Sequence, residues 1–246
     1  MWHECYQPSE GELMQNKVYD QQIVIDLEFT PVPKKLRRRG ISAEIIEIGA
    51  VRIDAQGKVA DSFSCFVKPQ FSWQIPDHIR DLTGIGMADV HDADPLEVAL
   101  ERLAAWIGEG HTRMVAWSDS DRNQIRRECK AKGLKVPAQL ARWLDLQRVF
   151  PRVLGVGNKK HMALREAADW YGVAVDQGSA HRALYDAEVT ARLLLLIISG
   201  EYRAHRSALD HVIVVYDSAT QPLTASLGSR CDALAQLRAS MMPACA

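Results

Sequence analysis

Four carboxylates and one histidine stand out in this chain by type and spacing. Asp26 and Glu28 lie two residues apart in IVIDLEFT (Ile23–Thr30), where a run rich in Ile and Val is broken twice by negative charge. Side chains alternate along a strand, so both carboxylates point to one face, about 7 Å apart. Burying them unpaired is costly, and a cation beside them would remove the difficulty. The plain alternative is a strand that ends at Asp26, with Glu28 already in a solvated loop. A second acidic group follows another apolar segment, in AWSDSD (Ala116–Asp121). Asp121 opens a helix and Asp119 sits earlier, in the turn; either also suits a helix N-cap. A third lies in HRALYDA (His181–Ala187), where Asp186 falls on a helix among the small residues Ala183, Ala187 and Thr190. Here the plain alternative is a solvated Asp and a loop histidine.

Taken together, three aspartates and one glutamate at the ends of regular elements can converge on two divalent cations. Hard oxygen donors suit Mg²⁺ or Mn²⁺. Two such ions can clamp the attacking and leaving oxygens of a phosphodiester during in-line displacement. The remaining requirement is a base for the attacking water, and a histidine titrating near neutral pH fits it. His181 is that candidate.

The elements that must position these groups follow from pattern. Ile23–Asp26 reads as a buried strand, PVPKKLRRRG (Pro31–Gly40) as a basic loop, and Glu44–Asp54 and Val59–Pro69 as two strands joined by a tight turn at Gln56-Gly57. These three strands are sequential and mostly antiparallel. Asp94 as N-cap, Pro95 at the first helical position and Glu97 two residues on open a helix whose apolar face is Leu96, Leu100, Leu103 and Ile107. A short buried strand at Met114–Trp117 precedes a helix from about Asp121 to Lys132, stopped by Gly133. Further helices are expected at Trp143–Phe150, at His161–Trp170 and from about Ser179 to Ile198. The order gives an α/β fold: a mixed sheet with an antiparallel start, flanked by helices. Residues 1–20 read as a loose arm, 21–200 as one domain, and 201–246 as an extension of unknown role.

Composition bounds the function. The chain has 246 residues, 47% hydrophobic and 25% charged, with a formal net charge of −1. That balance argues against a protein that binds nucleic acid by bulk positive charge, but not against an enzyme with local basic groups. The five cysteines are widely spaced and form no C-x-x-C, which points to reduced thiols in a cytoplasmic protein without a zinc site. The N-terminus lacks the apolar stretch of a signal peptide. The longest apolar run, around LLLLII, falls short of the roughly 20 residues a membrane span needs.

In that order, IVIDLEFT, EIIEIGAV, LTGI (Leu82–Ile85), the Asp121 region and HRALYDAEVTARLL resemble the DEDDh 3′→5′ exonucleases, over about residues 20–200. This group includes ribonuclease T, oligoribonuclease and the polymerase III proofreading subunit. The chain is most similar to the branch that trims small RNAs and histone mRNA. The resemblance implies an RNase H-like fold with a mixed five-stranded sheet, two Mg²⁺ or Mn²⁺ ions, and single-stranded RNA or DNA 3′ ends as substrate. It implies Asp26, Glu28, Asp121 and Asp186 as metal ligands and His181 as general base, five residues ahead of Asp186. Phe29, Thr30, Leu82, Thr83 and Ile85 match positions that hold the 3′-terminal nucleotide. Two departures are visible: Ser118-Asp119-Ser120 replaces the usual residues before the second-motif aspartate, which keeps Asp119 as a rival to Asp121, and the segment past residue 200 is unexplained.

RNA is favoured as substrate; a DNA proofreading or repair exonuclease and a non-catalytic nucleic-acid-binding module are the rival readings. The basic loop KKLRRR follows the first catalytic strand, and Trp73 is a candidate to stack on a base; a solvated loop and a packed Trp are the plain alternatives. Many relatives are dimers, and HVIVVY (His211–Tyr216) is the segment that could pair two subunits.

Overall fold

The computed structural model describes residues 19–154, 162–176 and 181–200. Their framework is a five-stranded sheet in the order β3-β2-β1-β4-β5. β1 (Gln21–Pro31), β2 (Ala43–Asp54) and β3 (Val59–Phe66) form the antiparallel start. β4 (Thr112–Ala116) and β5 (Trp143–Asp145) then extend the sheet in parallel with β1. Period-2 alternation sends two sets of apolar side chains to opposite faces. Ile23, Ile25, Leu27 and Met114 pack beneath α3 (Leu96–Ile107) and α4 (Ser120–Lys132). Val24, Val51, Val115 and Leu144 face a second core formed with α5 (Leu146–Leu154), α6 (Leu164–Trp170) and α7 (Ala183–Ser199). Two further helices, α1 (Asp77–Thr83) and α2 (Met87–Val90), carry the chain between β3 and α3.

Several expected boundaries move. β1 runs five residues past Asp26, so both carboxylates lie inside a strand and Glu28 is not in a solvated loop. The basic loop contains a 3₁₀ helix, Lys34–Arg39, closed by Gly40 in the left-handed conformation. Asp94 is not the N-cap of α3: Pro95 takes that place, while Asp94 accepts the Lys68 N–H through its carbonyl and pairs with Arg102 through its carboxylate. The backbone bridge between Lys68 and Pro95 holds this turn in extended form and delays the helix. Trp143–Phe150 is not one helix. Trp143–Asp145 pairs with Met114–Ala116 as β5, and the helix begins at Leu146. α6 begins at Leu164 and α7 at Ala183, later than the sequence suggests; His161 and Ser179 lie outside the described residues.

The chain is already pinned at its first described residues. Tyr19 stacks on His111 at 4.8 Å, and the Asp20 carboxylate accepts the His111 N–H. Residues 1–18 and 201–246, including HVIVVY, lie outside the described residues. Among the described residues no helix is long and apolar enough to cross a membrane.

Candidate active site

β4 pairs with β1 only from Gln21 to Val24 and ends at Ala116. The chain then turns away through Ser118 and Asp119 into α4. The second half of β1, carrying Asp26 and Glu28, is therefore open on that side. Beyond the β4 ladder the Leu27 N–H donates instead to the Asp121 carboxylate, which ties the first turn of α4 to the strand. Asp121 is only 4% exposed. Asp119 points elsewhere: its carboxylate pairs with Arg148 at 3.1 Å, at the surface. Asp121 is thus buried beside β1, while Asp119 lies at the surface.

α7 supplies the remaining groups. Its start rests on β2 at Gly49, which pairs with Asp26 across the ladder. A Cβ built on Gly49 would lie 2.0 Å from the Leu184 nitrogen, so the helix sits directly on the strand backbone. His181 precedes the helix with φ of 64°, a left-handed conformation uncommon outside Gly but more accessible to Asn, Asp and His than to other residues. In that turn its backbone N–H donates to the Asp186 carboxylate. Donor atoms of Glu28, His181 and Asp186 all lie within 4.8 Å of one another.

Glu47 is a site residue that the sequence reading missed. It pairs directly with Glu28 across the β1–β2 ladder, next to a bulge that shifts the register between Glu28 and Phe29. Two carboxylates opposite one another repel. Arg182 offsets the repulsion: its Nη2 lies 2.7 Å from Glu47 Oε1, and Glu47 Oε2 accepts the Ala183 N–H at 3.0 Å. Glu47 is 1% exposed and caps α7 from the sheet.

The electrostatics follow from this crowding. Burial, then the charges of Asp121, Glu28, Asp186 and Glu47, holds the Asp26 carboxyl well above its ordinary range. Burial and the charges of Asp186, Glu47 and Asp121 push Glu28 to about 8. Burial also lifts Asp121, to about 7, against the hydrogen bonds it accepts. Asp186 is raised by burial as well, with His181 and Arg165 opposing. His181 moves the other way: burial and the nearby Arg165 hold it below its ordinary value, so it is neutral near pH 7. Four carboxylates that resist ionising together, with oxygen donors converging, are what a divalent cation site requires. The donor set fits such ions.

The expected substrate contacts are placed differently from one another. Leu82 is exposed at the end of α1, and Phe29 is half-buried against the cluster beneath α3 and α4. Thr30, Thr83 and Ile85 have interior side chains. The Thr83 hydroxyl donates to the Ile79 carbonyl and accepts the Ile85 N–H, while Ile85 packs with Ile46, Ile75 and Val90.

A mixed five-stranded sheet with an acidic cluster at the open half of its central strand defines an RNase H-like nuclease. The RNase T exonuclease family model matches residues 23–194. The chain belongs to that family. ERI1 exoribonuclease 2 of Danio rerio is 31% identical over 193 residues, which cover 70% of this chain and 34% of that protein. The DNA polymerase III subunit epsilon of Aquifex aeolicus is 28% identical over 195 residues, 78% of this chain and 87% of that protein. Among solved structures, the nuclease domain of 3′hExo, a DEDDh family member bound to rAMP, superposes with a TM-score of 0.66 at 22% identity, over 75% of this chain and 94% of that one. The chain spans about a third of the length of the ERI1 exoribonuclease 2 relatives it matches.

Proposed function

We propose that this protein is a metal-dependent 3′→5′ exonuclease that releases nucleotides from the 3′ end of single-stranded nucleic acid, RNA in preference to DNA. The observation that carries the reading is the meeting of Glu28, Asp186 and His181, with donor atoms within 4.8 Å of one another, beside Asp26 and Asp121, whose charges act on the same group. Asp26, Glu28, Asp121 and Asp186 would hold two Mg²⁺ or Mn²⁺ ions. When bound, such ions neutralise the carboxylates and stabilise charge on the attacking and leaving oxygens of a phosphodiester. His181, neutral near pH 7, accepts the proton of the attacking water on an imidazole nitrogen. Arg182 and Glu47 fix the turn that carries it.

The ERI1 exoribonuclease 2 relatives support the RNA preference. The likeness to the Aquifex aeolicus polymerase III subunit, over most of that protein's length, favours the DNA reading. A binding module without turnover is disfavoured because all five expected site groups are present. The unpaired thiols of Cys65 and Cys129 suit a reducing, cytoplasmic setting. Initial rates on RNA and DNA oligomers of one sequence, in Mg²⁺ and in Mn²⁺, test the substrate preference. Faster shortening of RNA is expected, and faster shortening of DNA would transfer the assignment to the second reading.

A further inference from the structure

A groove of about 810 Å³ opens beside the C-terminal end of β1. One wall is the segment Pro31–Arg37, the other runs from Trp73 through Arg80, and Gly86 and Met87 close one end. Pro31 is three residues past Glu28, so at strand rise the groove begins about 10 Å from the carboxylates.

Both walls are built rigidly. Glu44, wholly buried, accepts the successive backbone N–H groups of Gln70, Phe71 and Ser72 at 2.7–2.8 Å. Lys132 holds Glu44 in turn, at 2.9 Å, and Glu128 at 2.7 Å. The Ser72 hydroxyl donates to the Pro31 carbonyl and joins the two walls. On the other side Val32 and Ile41 are buried together, and the Arg37 Nε donates to the Val32 carbonyl.

From this fixed platform Trp73 projects with 54% of its surface exposed. An indole held in water by a braced loop is a presented group, not a packed one. The Lys35 ammonium sits 5.3 Å from the centre of its ring. Lys34 and Arg37 line the groove, and neither they nor Lys35 meets a carboxylate partner among the described residues. The one acidic residue of the lining, Asp77, is already paired with Arg80 at 2.9 Å. An aromatic face beside unneutralised cations matches a strand of bases joined by phosphates, in any sequence.

We propose that this groove holds the single strand 5′ of the residue being cleaved, with a base against Trp73 and backbone phosphates against Lys34, Lys35 and Arg37. This rests on the exonuclease reading of the adjoining site for the direction of the strand, but binding tests it without turnover. The probes are a ten-residue oligouridylate with phosphorothioate linkages at its 3′ end, and uridine 5′-monophosphate. Trp73→Ala should weaken the decamer by roughly tenfold and change the monophosphate by less than about twofold, as expected when one stacked base is lost. Combining Lys34→Gln with Arg37→Gln should lower the slope of log affinity against log salt by about 1.4, at about 0.7 for each phosphate contact on a single strand. Unchanged decamer affinity in both variants overturns the proposal, as does an equal loss for decamer and monophosphate. Failure of the exonuclease reading shows separately, as no metal-dependent shortening of an unmodified decamer by the unaltered protein.

Discussion

Arg182 and Glu47 meet across the sheet at 2.7 Å, and the same carboxylate accepts the first backbone N–H of α7. One glutamate on β2 therefore fixes both the charge and the start of the helix that carries Asp186. Glu47→Ala should cost about 1–2 kcal/mol of stability, through a lost helix cap and a half-exposed ion pair. It should also lower kcat more than it changes KM, because the His181 turn loses its anchor. Glu47→Gln keeps an acceptor for the Ala183 N–H and should recover most of the stability but less of the rate. Thermal melts together with kcat and KM for the three proteins check this.

Gly49 is required by close approach. A Cβ there meets the backbone of Ala183 and Leu184 at 2.0–2.4 Å, and backbone cannot swing aside as a flexible side chain would. Gly49→Ala should displace the start of α7, cost at least about 1–3 kcal/mol by overpacking, and abolish turnover. A melt and an activity assay on the variant decide it.

The carboxylate cluster makes stability depend on pH and on metal. Glu28 is held at about 8 against an ordinary 4.5, and Asp121 at about 7 against 3.8. Between those limits the folded cation-free protein keeps protons that the unfolded chain has released. The contribution of these groups is fully present below their unfolded pKa values and is lost as pH rises through the folded ones. Glu44 acts with opposite sign at the acid end: although burial opposes it, the bonds from Lys132 and the backbone hold its pKa down. In EDTA the Tm should fall from about pH 5 to about pH 8. Mg²⁺ or Mn²⁺ favours the ionised carboxylates and should raise Tm more at the upper pH than at the lower. Equal shifts at both would contradict the placement of the cations.

Asp121 and Asp119 should separate sharply. Asp121→Asn removes a buried carboxylate of the cluster, so turnover should fall by at least about a hundredfold, equivalent to about 2.7 kcal/mol. In the same variant the cation-free protein should gain stability at about pH 8, because one repelling charge is gone. Asp119→Asn breaks a surface pair with Arg148 and removes a minor charge effect on Asp121, and should change rate and stability little. Parallel assays and melts of the two variants settle the choice.

Much of the site was legible because its residues obey local rules. The spacing of Asp26 and Glu28 gives a shared face whatever the strand's length, and His181 ahead of Asp186 marks the approach to a helix. Glu47 was missed for a physical reason. In EIIEIGAV it resembles one polar residue of an ordinary strand, and its role depends on a bulge and on a helix more than a hundred residues away. β5 was missed because its three residues carry too little pattern to tell from the helix that follows. Asp94 looked like an N-cap by composition, yet a backbone bridge to Lys68 claims that turn. Thr30, Thr83 and Ile85 were placed by motif, and motif alone does not say whether a side chain or only its backbone faces a ligand.

The decisive measurement for metal-dependent 3′→5′ turnover uses a 5′-labelled single-stranded RNA incubated with the purified protein in Mn²⁺, in Mg²⁺ or in EDTA. A ladder that shortens from the 3′ end is expected in either metal, lost in EDTA and absent for Asp26→Ala. No metal-dependent shortening of any single-stranded oligonucleotide, or equal shortening by Asp26→Ala, would contradict it.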